Sequence, residues 1–305
     1  MTKIKYVIIG GISKAGTTSL FEYLVNHPQV SGSSIKQTNF FLDKDLQCKL
    51  KLKSLYDYNV GLEAFLKFFP FAKENTLRVE ATPDYLYSPN TPKRLREFFD
   101  LYPGKVVFIL RDPVTRFTSF FYYGKQQGLI PQEMSLLDFY QESKSYMEDF
   151  NPCLMAYKTG FYCKHINKYL ETLGTDRVLV LCFEDMKRNP HEFMSTLSTN
   201  LSIDSSFYAT YNFQIKNSTT QVRSQYLGEI YMGLRAWYFQ NFYKSKAGIL
   251  TARLLRSTIS RFYRWVNHAP LKKNLEYEIL SRLRDDYREE VANLESLLGR
   301  NLPWK

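Results

Sequence analysis

IKYVIIGGISKAGTTSL, residues 4–20, changes character halfway along. Ile4 to Gly11 form a short apolar run closed by two glycines, which reads as a buried parallel strand. A helix is predicted from Thr17 to about Asn26. A strand passing into a helix through a glycine-containing turn aims backbone N–H groups and the helix dipole at one point, so a phosphate is expected there.

The rest of the chain repeats this alternation. LRVEA near residues 76–80 is strand-like and stops at Thr82-Pro83, and KVVFIL (Lys105–Leu110) is the clearest core strand. Pro113 follows it where the first turn of a helix tolerates proline. RVLVLCF (177–183) is another strand, with Glu184-Asp185 at a helix start. The expected fold class is α/β: a P-loop-like open parallel sheet with helices on both faces, in a single domain over residues 1–305. Leu280, Leu283, Tyr287, Val291, Leu294 and Leu298 recur at helical spacing over 276–298, predicting a closing helix that packs on the sheet.

The length of 305 residues suits one large core, and 44% apolar with 16% aromatic residues argues against large-scale disorder. Cys48, Cys153, Cys163 and Cys182 show neither CxxC nor metal-ligand spacing, so reduced thiols are expected, with Cys182 buried in a strand. With no signal-peptide pattern at the start and no membrane-length apolar run, the expected compartment is the cytoplasm. The formal charge of +11 is concentrated, because residues 230–275 hold nine Lys or Arg and no Asp or Glu. Such a block either attracts anionic partners or is a solvated helix face.

Gly11-x4-Gly16 resembles a Walker A loop, but Thr17 stands where that motif requires lysine, and Lys14 lies inside the turn. A standard NTPase loop is thereby excluded. SKAGTTSL (13–20) is instead similar to the 5′-phosphosulfate loop, K-x-G-T-T-x-L, of sulfotransferases that use 3′-phosphoadenosine 5′-phosphosulfate (PAPS). The resemblance implies that Ser13, Lys14, Ala15, Gly16, Thr17, Thr18 and Ser19 bind the cofactor. A second match is FILRDPVTRFTS (108–119), by which Arg111 and Ser119 hold the 3′-phosphate. Arginine's bidentate fork suits that task. A third, NSTTQVRSQYL (217–227), makes Arg223 a further cofactor residue, and Gly160-Phe-Tyr-x-x-His165 also fits the family. Residues 229–275 have no counterpart and read as a basic, aromatic-rich insert or lid.

KQTNFF (36–41) resembles the heparan sulfate branch, in which a glutamate general base follows the lysine and a histidine comes two places later. Gln37 and Asn39 stand there, and Ala81 replaces a lysine before Thr82-Pro83. Gln37, Asn39 and Phe40 remain expected substrate contacts. Glutamine cannot take a proton, so Asp84, His165 and Glu80 are the alternatives for the base. His165 reads equally as a packed helix-face residue, Glu80 as a buried organiser, and His27 as a helix-terminating residue that meets the dipole. Lys14 would stabilise the departing oxygen. No metal is expected. Asp112 could be a Walker-B-like ligand, but its Arg-Asp-Pro setting favours a helix cap.

The expected function is sulfuryl transfer from PAPS to oxygen or nitrogen of a small-molecule acceptor such as a specialised metabolite, by a monomer or homodimer with no nucleic-acid partner. Two rivals stand beside it: a P-loop small-molecule kinase, and a nucleic-acid or membrane-surface binding protein using the basic block.

Overall fold

Side-chain alternation along the strands decides which apolar residues go to which face. In the computed structural model, which describes residues 4–147, 151–213, 221–222, 230, 233, 237, 268–269 and 277–304, β1 (Tyr6–Gly11) is the central strand of a five-stranded sheet. Its order is β2-β3-β1-β4-β5, with β2 at Val30–Gly32, β3 at Leu77–Ala81, β4 at Gly104–Leu110 and β5 at Val178–Cys182. Every pairing in it is parallel. β2 has only three residues and so carried no readable pattern in the sequence.

Tyr6 and Ile8 turn to one face together with Val106 and Phe108, while Val7 and Ile9 turn to the other with Val107 and Ile109. Between β2 and β4 the chain forms α2 (Lys44–Lys49), α3 (Glu63–Leu66) and α4 (Thr91–Leu101). After β4 come α5 (Pro113–Gln127), α6 (Leu136–Ser145) and α7 (Cys163–Leu173). α4 and α7 cover the first face through Leu95, Phe98, Ile166 and Tyr169. α1 (Thr17–Val25) and α9 (Pro190–Leu201), which follows α8 (Phe183–Arg188), cover the second through Leu20, Leu24, Met194 and Leu197. The expected open parallel sheet with helices on both faces is the architecture found.

The closing helix, α10 (Tyr277–Leu298), forms as its periodicity predicts, but it packs chiefly on α5, α6 and α7 rather than on the sheet. α4 and α7 already occupy that face. Leu283 and Tyr287 join Phe117, Phe121 and Phe139 in a third apolar cluster, and the Tyr287 ring fills the space where Gly160 has no side chain. His27 follows the end of α1 as expected, its backbone N–H donating to the Leu24 carbonyl at 3.0 Å. Its Nδ1 accepts from Gln29 N–H at 3.1 Å, so Nε2 carries the proton donated to the Asp204 carbonyl at 2.8 Å, and the ring also ties two loops together.

The chain leaves β1 to one side for β2 and β3, then crosses to the other side for β4 and β5. The carboxyl end of β1 is therefore the switch point of the sheet, where ligands of such folds bind. β6 (Gln221–Val222) and β7 (His268–Ala269) pair antiparallel, bringing together the ends of the segment between them, and β6 lies against α5. Arg223 and most of the 229–275 insert fall outside the described residues.

Candidate active site

Gly16 begins α1 in the left-handed conformation at φ 86°, and a Cβ there would sit 2.7 Å from the Phe183 ring and 2.8 Å from Met186 Cε. Only glycine fits this turn. The helix start has no side-chain cap and no acidic residue in its first turn. Its N–H groups are thus left to a ligand, and the dipole favours an anion.

Lys14 precedes it at φ 69°, with its ammonium 4.3 Å from the centre of the Tyr123 ring. Burial, and then the Arg111 charge, bring its pKa down to about 8. At neutral pH it remains mostly a cation. Ala15 is fully buried in the core beneath the turn. Of the hydroxyls that follow, Thr17 and Ser19 are buried, Ser19 bonding the side chain of Tyr23, while Thr18 Oγ1 accepts from Lys36 Nζ at 2.8 Å.

Arg111 leaves the end of β4 and donates from Nη1 to the Lys14 carbonyl at 2.9 Å and from Nε to Thr115 Oγ1 at 3.2 Å, while its guanidinium lies 4.9 Å from the Phe183 ring centre. The two sequence motifs therefore meet directly. Asp112 caps α5, its two carboxylate oxygens accepting from Val114 N–H and Thr115 N–H. That is the capping role its setting suggested. Ser119 lies further along α5 and is buried. Below the loop, Arg116 is 1% exposed and donates to Ser13 O at 3.0 Å and Thr159 O at 3.0 Å.

The third wall comes from the end of β3. Glu80 is fully buried, and its Oε1 accepts from the N–H and hydroxyl of Thr38 and from the hydroxyl of Thr82, tying the 36–41 segment to the strand. Burial outweighs these bonds and the nearby Lys36 charge, and raises its pKa to about 7. Its Oε2 has no partner among the described residues. Asp84, two residues past Thr82, is half-buried and feels the charges of Arg116 and Lys36; burial nonetheless brings its pKa up to about 6.

Lys14, Thr17, Thr18 and Arg111 are thus linked directly or through Lys36, and Asp84 feels the charges of Lys36 and Arg116. The remaining residues expected on the acceptor side have different fates. Gln37 is exposed, but Asn39 is buried with its amide donating to Lys53 O at 2.9 Å. Phe40 is fully buried among Phe41, Tyr58, Phe65 and Phe68, which leaves it no surface for a substrate. His165 meets Tyr87 edge-on in a cavity of about 220 Å³ lined also by Leu86, Pro92, Lys164 and Lys168, to which no phosphate-loop residue contributes. Burial, with Lys164 and Lys168, lowers its pKa to about 4. Lys36, Arg116 and Tyr123 escaped the sequence reading as site residues. Arg116 follows Arg111 by five positions, but nothing in composition marks an arginine as buried.

The sulfotransferase domain model matches residues 5–295. The chain belongs to the sulfotransferase domain family. Human heparan sulfate glucosamine 3-O-sulfotransferase 5 is 28% identical over 168 residues, covering 54% of this chain and 43% of that protein. The membrane-associated sulfotransferase kil1 of Dictyostelium discoideum is 36% identical over 122 residues, covering 39% and 23%. The chain thus spans less than half the length of these curated relatives. A solved sulfotransferase from Alicyclobacillus acidocaldarius shares the fold, with TM-score 0.66 and 19% identity over 99% of this chain and 98% of that one. Among the described residues, no helix of this family member is long and apolar enough to cross a membrane.

Proposed function

We propose that this sulfotransferase-family protein transfers a sulfuryl group from PAPS to a hydroxyl, or to an amine- or amide-type nitrogen, of a small molecule, leaving adenosine 3′,5′-bisphosphate (PAP). The observation that carries the reading is the direct contact of Arg111 with the Lys14 turn at the uncapped start of α1. Those residues suit a nucleotide with phosphate at both ends of its ribose. Thr17, Thr18 and the first-turn amides would serve the 5′-phosphate, Arg111 with Ser119 the 3′-phosphate, and Arg223 would be a further cofactor contact. The cofactor supplies the activated sulfuryl group. Lys14 supplies positive charge to the departing oxygen, which costs little reorganisation because the turn already fixes its backbone.

Asp84 is our choice of base. Glu80 Oε1 is occupied by three donors, and His165 lies in a different cavity, whereas Asp84 is half-buried beside the two cations that border the loop. Its carboxylate would take the acceptor proton, with the Gln37 amide offering neutral hydrogen bonds. Neutral Gln37, Asn39 and Ala81 supply no charge for a polyanionic glycan, which favours a small acceptor such as a specialised metabolite. The four unpaired cysteines suit a reducing compartment, the cytoplasm, where the protein would act as a monomer or homodimer.

The test is calorimetric titration with PAP, ATP and AMP, in wild type and Arg111→Ala. PAP should bind without metal and more tightly than ATP, and the substitution should weaken it roughly tenfold or more. Better binding of magnesium-ATP, unaffected by Arg111→Ala, would overturn the reading in favour of a kinase.

A further inference from the structure

Lys36 reaches the phosphate loop from outside both motifs. It lies between β2 and α2, a segment held on several sides. Ser33 N–H donates to the Val79 carbonyl at 2.9 Å and Ser34 N–H to that of Phe68 at 2.7 Å, while the Lys36 carbonyl itself accepts from Ala81 N–H at 3.0 Å. The Glu80 carboxylate grips the same segment through Thr38. Lysine is ordinarily a flexible point charge, but here its backbone is fixed at the edge of the site.

The ammonium is half-buried and donates to Thr18 Oγ1 at 2.8 Å, with Thr17 Oγ1 at 3.5 Å. Both Glu80 and Asp84 also feel its charge. The chemistry of the Thr18 bond is directional. An ammonium has donors only, so the threonine oxygen must accept, and a hydroxyl that accepts on one side turns its own hydrogen to another. At the start of α1 the uncapped N–H groups already call for an acceptor. The Thr18 hydroxyl, accepting from Lys36, keeps its own hydrogen to donate.

We propose that Lys36 is a positioning cation for the 5′ end of the cofactor, orienting the Thr18 hydroxyl, and more weakly that of Thr17, as donors to the 5′-phosphate and adding a positive charge at that end. The proposal rests on the PAPS reading above. It assigns nothing to the 3′-phosphate, which Arg111 and Ser119 would hold.

Two ligands differing only in the 5′-phosphate separate this role from a structural one. PAP carries that group and adenosine 3′-phosphate lacks it. Calorimetric titration of the full chain should show Lys36→Met weakening PAP roughly tenfold or more, the size expected for losing a charge-assisted bond. Adenosine 3′-phosphate should bind wild type and variant equally, and Lys36→Arg should recover most of the PAP affinity. If Lys36→Met binds PAP as wild type does, or loses both ligands equally, the assignment is overturned while the cofactor reading stands. If wild type itself fails to bind PAP, the cofactor reading falls and takes this one with it.

Discussion

Asp84 illustrates how neighbours set the work a carboxylate can do. Burial holds its proton to about pH 6, even with Arg116 and Lys36 pulling the other way. The sign follows directly: a base acts as the carboxylate, so kcat/KM should fall as pH drops through about 6 and level off above it. Asp84→Asn should lower kcat/KM by about 10²–10³-fold and remove that acid limb, as pH–rate profiles of both proteins would reveal. An unchanged limb in the variant would return the base to another residue. Glu80 has the same chemistry in outline but a different fate, because its strand position turns it wholly inside, onto Thr38 and Thr82. The reading of Glu80 as a buried organiser matches that placement, but nothing in residue type marked Phe40 as core or Gln37 as exposed. Those outcomes depend on which way each side chain points, and that is settled by strand register and by the turn after Ala81.

The turn from β1 into α1 was legible because its constraints are local. A buried strand, a glycine and two threonines fix an uncapped helix start whatever the rest of the chain does. Gly16→Ala tests this. The left-handed conformation costs alanine about 1–2 kcal/mol, and the added methyl would meet Phe183 of α8. Lower melting temperature and roughly tenfold or weaker PAP binding are expected, by calorimetry and thermal unfolding. Retained affinity would show that the turn adapts and does not define the anion site. Asp112 was equally readable, since an acid before Pro113 at a strand end caps a helix by rules confined to three or four residues. The packing partner of α10 was not readable: periodicity shows that a helix has an apolar face but not what the face meets.

Across the whole molecule, α10 closes the cluster formed by α5 and α6 and so supports the helix that carries Asp112 and Ser119. Leu283 is fully buried there. Leu283→Ala should cost about 2–5 kcal/mol, read as a lower urea midpoint. A loss under about 1 kcal/mol would mean that the cluster relaxes around the cavity or that α10 docks weakly. At this scale the division between sequence and structure is plain. The alternating architecture, the anion-binding turn and the pairing of Lys14 with Arg111 in one family were legible from residues alone, because period, glycine geometry and motif spacing are short-range properties. Three-dimensional packing was needed to show that Lys36 bonds the loop, that Arg116 donates to it, that Asp84 feels both charges, and that His165 belongs to another cavity. Each of these joins segments at least 18 residues apart, and such contacts follow from strand order and burial, which no local pattern encodes.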